Sequence, residues 1–166
     1  MLLANVAVGL VQLVIAIIFA VIALYIGFAV LGKITKHIDE EKELARGNIA
    51  FGIVIAAVFF AIAVVVESGV SGLSLGINKA LEVGIFTGDG LLIVAAAFIQ
   101  LVLGVILAIG AIYLALNILE KLTKRVKQFE ELRKGNVAVA LEMAGVIVAV
   151  AVIIQSGVLG ITSALI

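Results

Sequence analysis

The feature that most constrains this chain is a pattern of residues that occurs twice. The two Gly-Asn pairs, at 47–48 and 135–136, are 88 positions apart because 136 − 48 = 88. Further matches at the same offset, with no gap, are Gln12 and Gln100, Tyr25 and Tyr113, Lys33 to Lys36 and Lys121 to Lys124, and Ser68 to Val70 and Ser156 to Val158. A sequence that repeats in register predicts one structural unit built twice.

Each unit holds two apolar segments that are long enough to cross a bilayer. They cover residues 6–31, 49–66, 91–119 and 137–154. A helix needs about 20 apolar residues to cross about 30 Å of hydrocarbon. The chain is 65% hydrophobic and 13% charged, whereas soluble domains average about 45–50% apolar residues. We therefore predict an all-α integral membrane protein with four transmembrane helices, arranged as two parallel tandem helical hairpins.

The predicted organisation is a first two-helix repeat over 1–76, a connector over 77–90 and a second repeat over 91–166. The connector carries apolar residues at helical steps, which predicts a short helix at the outer interface. Ten of the eleven Lys and Arg lie in the two hairpins, and Lys79 alone lies at the other end. By the positive-inside rule, both hairpins are cytoplasmic and both termini lie outside. The repeats are then related by an axis along the membrane normal.

The Gly-Asn pairs mark the predicted hairpin tips, Gly47 with Asn48 and Gly135 with Asn136. Glycine suits the left-handed position that ends one helix, and asparagine can cap the next helix. An alternative is that the tips bind an anionic ligand at a helix N-terminus, although capping already accounts for both residues. In the second unit the apolar stripe predicts that the third span continues past the membrane as an amphipathic helix.

Five polar residues lie in or near the spans, namely Gln12, Gln100, Glu142, Glu67 and Gln155. Glu142 is the leading candidate for function, because an ionisable group near the bilayer centre usually faces a cavity or a partner. The alternatives are that Glu142 is protonated in a helix interface or hydrogen-bonded to a neighbouring glutamine. For the pair Gln12 and Gln100, bonding between helices is favoured over a solute site.

Charged residues cluster in both hairpins. In the first hairpin, His37 and the acidic residues at 39–43 offer possible ligands for a divalent cation, but a solvated helix face is favoured. We predict no metal site. Four basic residues next to the third span are candidates for contact with anionic lipid headgroups. They are Lys121, Lys124, Arg125 and Lys127.

Small residues four positions apart occur in all four spans and allow helices to approach closely in lipid. The pairs are Ala16 and Ala20, Gly52 and Ala56, Gly104 and Ala108, and Gly145 and Ala149. Four helices with this many small faces leave surplus packing surface. We therefore expect the protein to bind copies of itself.

No catalytic set of residues is visible in the sequence. The chain has one His and no Cys, and it lacks both a glycine-rich phosphate loop with a lysine and a credible pair of acids. We expect no enzymatic activity and no cofactor. The expected partners are membrane lipids and other copies of the chain, with no nucleic acid.

The doubled pattern EL-x-[RK]-G-N-[IV]-A, with a following span that ends in [EQ]-S-G-V, resembles the YjfL-type family of small bacterial and archaeal membrane proteins, domain of unknown function 350. The resemblance covers nearly the whole chain and implies a prokaryotic cell membrane. Two functional hypotheses remain open. The first is a homo-oligomer or array with a scaffold or membrane-organising role, and the second is an ion or solute channel or transporter with a polar path near Glu142.

Overall fold

The computed structural model describes the backbone over residues 2–34, 38–123 and 126–165, and the side chains over 6–7, 9–28, 32, 38–123 and 126–160. Within these ranges the chain is helical and has no strand, so the all-α prediction is confirmed. The six helices are α1 (Leu2–Ile34), α2 (Glu40–Ala45), α3 (Ile49–Val83), α4 (Gly88–Leu122), α5 (Gln128–Arg133) and α6 (Val137–Leu165).

Four of these helices are long and apolar enough to cross a membrane. The candidate spans are Gly9–Phe28, Ile49–Val83, Gly88–Leu122 and Val137–Gly160. Helices α3 and α4 have 35 residues each, or about 52 Å at 1.5 Å per residue. A bilayer with its headgroups is about 40–45 Å thick. Both helices are therefore long enough to cover the headgroup regions as well as the hydrocarbon.

Helix α3 lies at the centre of the bundle and contacts α1, α4 and α6. In the most apolar stretch of α3, 56% of the residues are buried, whereas the corresponding fraction for α1 is 6%. Large side chains from α3 and α6 fill the core, including Phe51 and Val54 on α3 and Met143 and Ile147 on α6. Helix α1 packs mainly on α3 and covers little of the bundle. Most of the apolar surface of α1 is therefore left for lipid or another protein.

The short interfacial helix expected over 77–90 does not form separately. Helix α3 continues to Val83, and Gly84 ends it with φ +99°. The glycines that interrupt the sequence before this point serve packing, because a Cβ added at Gly76 would lie 2.6 Å from the Cβ of Ala97 on α4. With no proline in the chain, nothing breaks the helix before Gly84.

The structure also differs from the predicted amphipathic extension of the third span. Helix α4 ends at Leu122, where the Thr123 hydroxyl donates to the carbonyl of Leu119 at 2.7 Å. The apolar stripe continues in the short helix α5, whose Phe129 and Leu132 are buried. Helix α5 packs against α3 and α6. This last part of the stripe therefore belongs to the bundle core, and the stripe does not continue as one long helix.

Candidate functional site

The two hairpin tips have the backbone geometry of helix caps. Gly47 has φ +72° and Gly135 has φ +81°, in the left-handed region that glycine adopts at little cost. The Asn48 side chain accepts from the Phe51 N–H at 3.1 Å and caps α3. The Asn136 side chain accepts from the Ala138 N–H at 3.2 Å at the start of α6. This geometry agrees with the capping interpretation.

Each capping asparagine is also bonded to a carboxylate of its own hairpin. The Asn48 amide donates to Glu43 at 2.9 Å and to the carbonyl of Leu132 at 3.0 Å, so it joins the two tips. The Asn136 amide donates to Glu131 at 3.0 Å. A carboxylate beside each helix start repels an anion. The geometry therefore argues against an anion site at the tips.

Glu131 has a second partner, Lys134, whose ammonium lies 2.6 Å from the carboxylate. The hydrogen bond from Lys134, followed by that from Asn136, holds the pKa of Glu131 below its usual value of 4.5. The same bond raises the pKa of Lys134 above 10.5. Lys134 is exposed and Glu131 is half-buried at the surface, so salt screens their attraction and the pair contributes little to stability.

Glu142 lies close to one end of its helix. It is five residues after Val137, about 7.5 Å along α6 at 1.5 Å per residue. Its carboxylate is exposed and accepts from the amide of buried Gln128 at 3.2 Å. Gln128 also donates to the hydroxyl of Thr123 at 3.0 Å. The bond to a neighbouring glutamine is one of the alternatives that the sequence leaves open, and the position is far from the helix middle.

Glu67 is the acidic residue that lies deepest in a span. It stands 18 residues after Ile49 and 16 before Val83 in α3, which is about 27 Å and 24 Å from the two ends. The Gln155 amide on α6 donates to its carboxylate at 3.4 Å, and the Ser71 hydroxyl does the same at 3.4 Å. We call Glu67, Ser71 and Gln155 the midspan polar cluster.

Two buried hydrogen bonds hold α6 against its neighbours close to this cluster. The Ser68 hydroxyl, fully buried on α3, donates to the carbonyl of Gln155 at 3.4 Å. The Gln100 amide on α4 is buried and donates to the carbonyl of Val158 at 2.9 Å. The amide nitrogen of Gln12 is buried but has no hydrogen-bond partner among the described residues. The structure thus gives Gln100 the bonding role expected between helices and shows no such bond for Gln12.

The sequence candidates do not form one continuous polar path. Glu142 lies 13 residues from Gln155 on α6, about 20 Å at 1.5 Å per residue, and residues 143–154 between them are all apolar. On α3 the whole segment 49–66, between the hairpin and Glu67, is apolar as well. The structure brings together Glu67 and Gln155 and leaves Glu142 with Gln128.

The face of α3 that carries Glu67 points away from the bundle and holds both small and large side chains. Ala56, Phe60, Ala63 and Glu67 are exposed on it. Next to this face, a groove of about 360 Å³ runs between α3 and α1, and Glu67 and Ser71 lie on its border with Ala16. We call the exposed face of α3 that carries Ala56, Ala63 and Glu67 the outer α3 face.

The four pairs of small residues differ in whether they contact another helix of the chain. Gly104 is used inside the chain, because a Cβ there would lie 3.1 Å from a methyl group of Val158. Gly52 and Gly145 have open space where their side chains would be, and Ala149 on α6 is exposed. Two of the four predicted faces are therefore still available for contact outside the chain.

The remaining charged candidates lie at the hairpin end. Lys121 and Lys127 are exposed, and the ammonium of Lys127 lies 2.9 Å from Glu130. His37, Lys124 and Arg125 lie outside the described residues. Among the residues that were described, no group of three or more His, Cys, Asp or Glu could hold a metal ion.

Ser71 and Ser68 were missed in the sequence analysis. Ser71 follows Glu67 by four residues, a spacing that places both on one helix face, so the sequence held a usable signal. The bond from Ser68 to the Gln155 carbonyl depends on the contact between α3 and α6, which no local pattern reveals.

Comparison with known proteins gives one family. The model described as Domain of Unknown Function (DUF350) matches residues 4–104 and 92–166. No curated protein and no solved structure matches the chain.

Proposed function

The chain belongs to the DUF350 family, and from this premise we propose a function: a multi-pass membrane protein without enzymatic activity that binds copies of itself and organises the membrane around the assembly. The observation that carries the proposal is the placement of Glu67, an ionisable residue at the middle of a span, on the outer α3 face.

A carboxylate in that position calls for a protein partner. An ionisable side chain inside a membrane span is costly, by about 3 kcal/mol or more where it reaches the bilayer centre, and such residues usually face other protein or a cavity. Gln155 and Ser71 each supply one hydrogen bond at 3.4 Å, which leaves the outward side of the carboxylate uncovered. Contact with a second copy would cover it.

The small residues beside Glu67 favour that contact. Gly145 and Ala149 on α6, like Ala56 and Ala63 on α3, are small and exposed, and the larger exposed side chains of Phe60 and Leu141 lie one turn from them. A glycine inside a helix costs about 1 kcal/mol relative to alanine, and in lipid small residues are typical of close helix contacts. An assembly through the α3 and α6 faces would account for these residues.

The proposed architecture is a pair of tandem hairpins with the charged tips in the cytoplasm and both termini outside, in a prokaryotic cell membrane. The double match to the family model supports two units. The proposed orientation rests on the ten basic residues at the hairpin end. In that orientation we expect Lys121 and Lys127, which are exposed, to contact anionic lipid headgroups, and the sequence makes Lys124 and Arg125 candidates for the same contact.

A channel or transporter is the second candidate, and the midspan polar cluster is the observation that favours it. A polar path would have to continue to the cytoplasm, yet 49–66 on α3 and 143–154 on α6 are wholly apolar. The scaffold is therefore the better supported role. If vesicles that contain the wild-type protein show cation flux, and the Glu67→Gln variant abolishes that flux, the channel would be favoured instead.

The scaffold proposal can be tested with two matched glycine variants. Gly145 and Gly110 both have open space where a side chain would be, but Gly110 lies on α4, away from the outer α3 and α6 faces. Gly145→Leu should reduce the number of copies in the assembly in lipid, and Gly110→Leu should leave it unchanged. Equal assembly size for wild type and Gly145→Leu would count against the proposed face.

A further inference from the structure

We infer that α1 of one copy of the chain packs on α6 of a neighbouring copy, with Leu13 of one copy seated against Gly157 of the other. The inference rests on the proposed self-assembly and names the two helices that meet. Its template is the contact between α3 and α4 inside the chain. The 88-residue offset of the sequence relates α4 to α1 and α3 to α6, and it therefore predicts a second contact of the same kind.

The contact between α3 and α4 brings Leu101 against Gly69. Leu101 on α4 is 1% exposed, and a Cβ added at Gly69 on α3 would lie 3.3 Å from the Cα of Leu101. Val65 on α3 and Val105 on α4 are buried one turn away on the same two faces. The glycine allows the close approach, as small residues do between helices in lipid.

Helix α6 has the equivalent of this α3 face, and it is exposed. The offset relates Gly69 to Gly157 and Val65 to Ile153. Among the described residues, no other side chain or helix comes within 4 Å of a Cβ added at Gly157. Ile153 is 71% exposed, whereas Val65 is 1% exposed. The position that Leu101 fills on α3 is therefore open on α6.

Helix α1 carries the matching apolar side chains, and they are exposed as well. The offset relates Leu101 to Leu13 and Val105 to Ile17. Leu13 is 55% exposed and Ile17 is 54% exposed. Helix α1 packs on α3 through a neighbouring face that holds Gly27, where an added Cβ would meet an α3 side chain. Both halves of a second contact are thus present in the chain, and neither half is covered.

The two exposed faces also match in depth and direction. Gly69 and Gly157 each stand 20 residues after the first residue of their helices. Leu101 stands 13 residues after the start of α4, and Leu13 stands 11 residues after the start of α1. The first and fourth spans run in opposite directions, as the second and third do. Two copies with the same orientation in the bilayer can therefore form the contact.

A second copy is the partner that fits both faces. Within the described residues, α1 contacts α3 and α4 and makes no comparable contact with α6. A glycine inside a helix costs about 1 kcal/mol relative to alanine, which close packing of a leucine from another helix offsets and a fluid lipid chain does not. Because the contact joins two different faces, it is heterologous and continues from copy to copy as a ring or filament.

The test is disulfide cross-linking in lipid vesicles, for which the chain is suited because it has no cysteine. The template approach of Gly69 to Leu101 is close enough for a disulfide. Protein that carries both Leu13→Cys and Gly157→Cys is oxidised with copper phenanthroline and separated on a denaturing gel without reductant. We expect dimers, trimers and larger products, because each copy offers one thiol to each of two neighbours.

The matched control is the pair Leu13→Cys and Leu159→Cys. Leu159 is also exposed, and it lies two residues from Gly157, at nearly the same depth but about 200° round the helix at 3.6 residues per turn. The control should give little product. Equal products from the two pairs would overturn the inference, because they would reflect random collisions in the bilayer. A disulfide confined to single chains would overturn it too, because α1 would then pack on α6 of its own chain.

The identity of the joined peptides completes the test. Mass spectrometry should find position 13 joined to position 157, and products joined only through two equal positions would overturn the inference. The pair Ile17→Cys and Ile153→Cys leaves Leu13 and Gly157 in place and should give the same series of products. The absence of products from both pairs would show that lipid covers the two faces, and would also overturn the inference.

The number of copies of the wild-type protein in the same lipid separates this inference from the proposed function. An assembly of several copies whose paired thiols do not cross-link would overturn only the contact between α1 and α6. A protein that stays as single copies would overturn the proposed function and this contact with it.

Discussion

Gln155 on α6 donates a hydrogen bond to Glu67 on α3 at 3.4 Å, and the two residues are 88 positions apart. This is the offset at which the sequence repeats. When two copies of a unit are related by a two-fold axis, equivalent positions meet only close to that axis. The contact therefore supports an arrangement in which the axis of the two hairpins passes between α3 and α6, next to the deepest carboxylate of the spans.

The sign of the charge at residue 67 should decide whether the chain assembles. Glu67→Gln keeps a polar side chain of the same size, so the assembly in lipid should persist. Glu67→Lys places a longer, positively charged side chain on the contact face, which prevents close approach of the neighbouring helix, and the assembly should separate into single copies. Sizing both variants after reconstitution checks this. Assembly of Glu67→Lys at the wild-type size would contradict the proposed contact.

The two glutamines at matching sequence positions should respond differently to the same substitution. Gln100→Leu removes a buried bond to the carbonyl of Val158, 2.9 Å long, and should lower the free energy of unfolding by about 1 kcal/mol. Gln12→Leu replaces a buried amide nitrogen that has no partner among the described residues, so stability should be unchanged or higher. Thermal unfolding of both variants in one detergent gives the comparison. A Gln12→Leu variant that is as unstable as Gln100→Leu would show that Gln12 has a structural role of its own.

The two capping asparagines should differ in importance. Either substitution to alanine loses a cap, worth about 1 kcal/mol. Asn48→Ala also loses the bond to the carbonyl of Leu132 at 3.0 Å, so it should cost about 1 kcal/mol more than Asn136→Ala. Denaturant unfolding of the pair measures the difference. If Asn136→Ala is the more harmful of the two, the link between the tips is not important for stability.

The pair of Glu131 and Lys134 should make the second hairpin tip sensitive to acid. Because the pKa of Glu131 is lowered below 4.5, its contribution to stability is fully present above that value and is lost as the pH falls through the folded-state pKa. The raised pKa of Lys134 acts at the other extreme, where stability is lost as the pH rises beyond 10.5.

Glu131→Gln should therefore flatten the fall of the melting temperature below pH 4.5 at low salt. Glu130→Gln is the matched control, because Glu130 is exposed on the same short helix and pairs with Lys127. Added salt should shrink the wild-type effect, since the pair lies at the surface, with Lys134 exposed and Glu131 half-buried. If Glu130→Gln flattens the curve equally, the effect comes from total charge and not from the pair at the tip.

Much of the fold could be predicted from the sequence because it depends on local properties. Apolar length identified all four long helices, and the Gly-Asn signal at 47–48 and 135–136 marked the turns. The sequence predicted a separate short helix over 77–90, but α3 continues through Gly76 to Val83. In the structure that glycine lets α3 approach Ala97, and helix packing overrides its low helix propensity.

The candidate site depended more on tertiary contacts. Sequence alone singled out Glu142 because it is an acid inside an apolar run, but the structure places it near the start of α6, bonded to Gln128. The apolar segment predicted from the sequence covers 49–66, so Glu67 came just after its end. Once α3 extends to Val83, the same residue lies at its middle, and the contact with Gln155 follows from the packing of α3 on α6.

The most direct test of the account is electron microscopy of the purified wild-type protein in lipid, at a resolution that places α3 and α6 of neighbouring copies. The account predicts a ring, sheet or filament of several copies in which the outer α3 face of each, with Glu67, is covered by a neighbour. Single copies in the bilayer, or an assembly in which lipid covers Glu67, would contradict it.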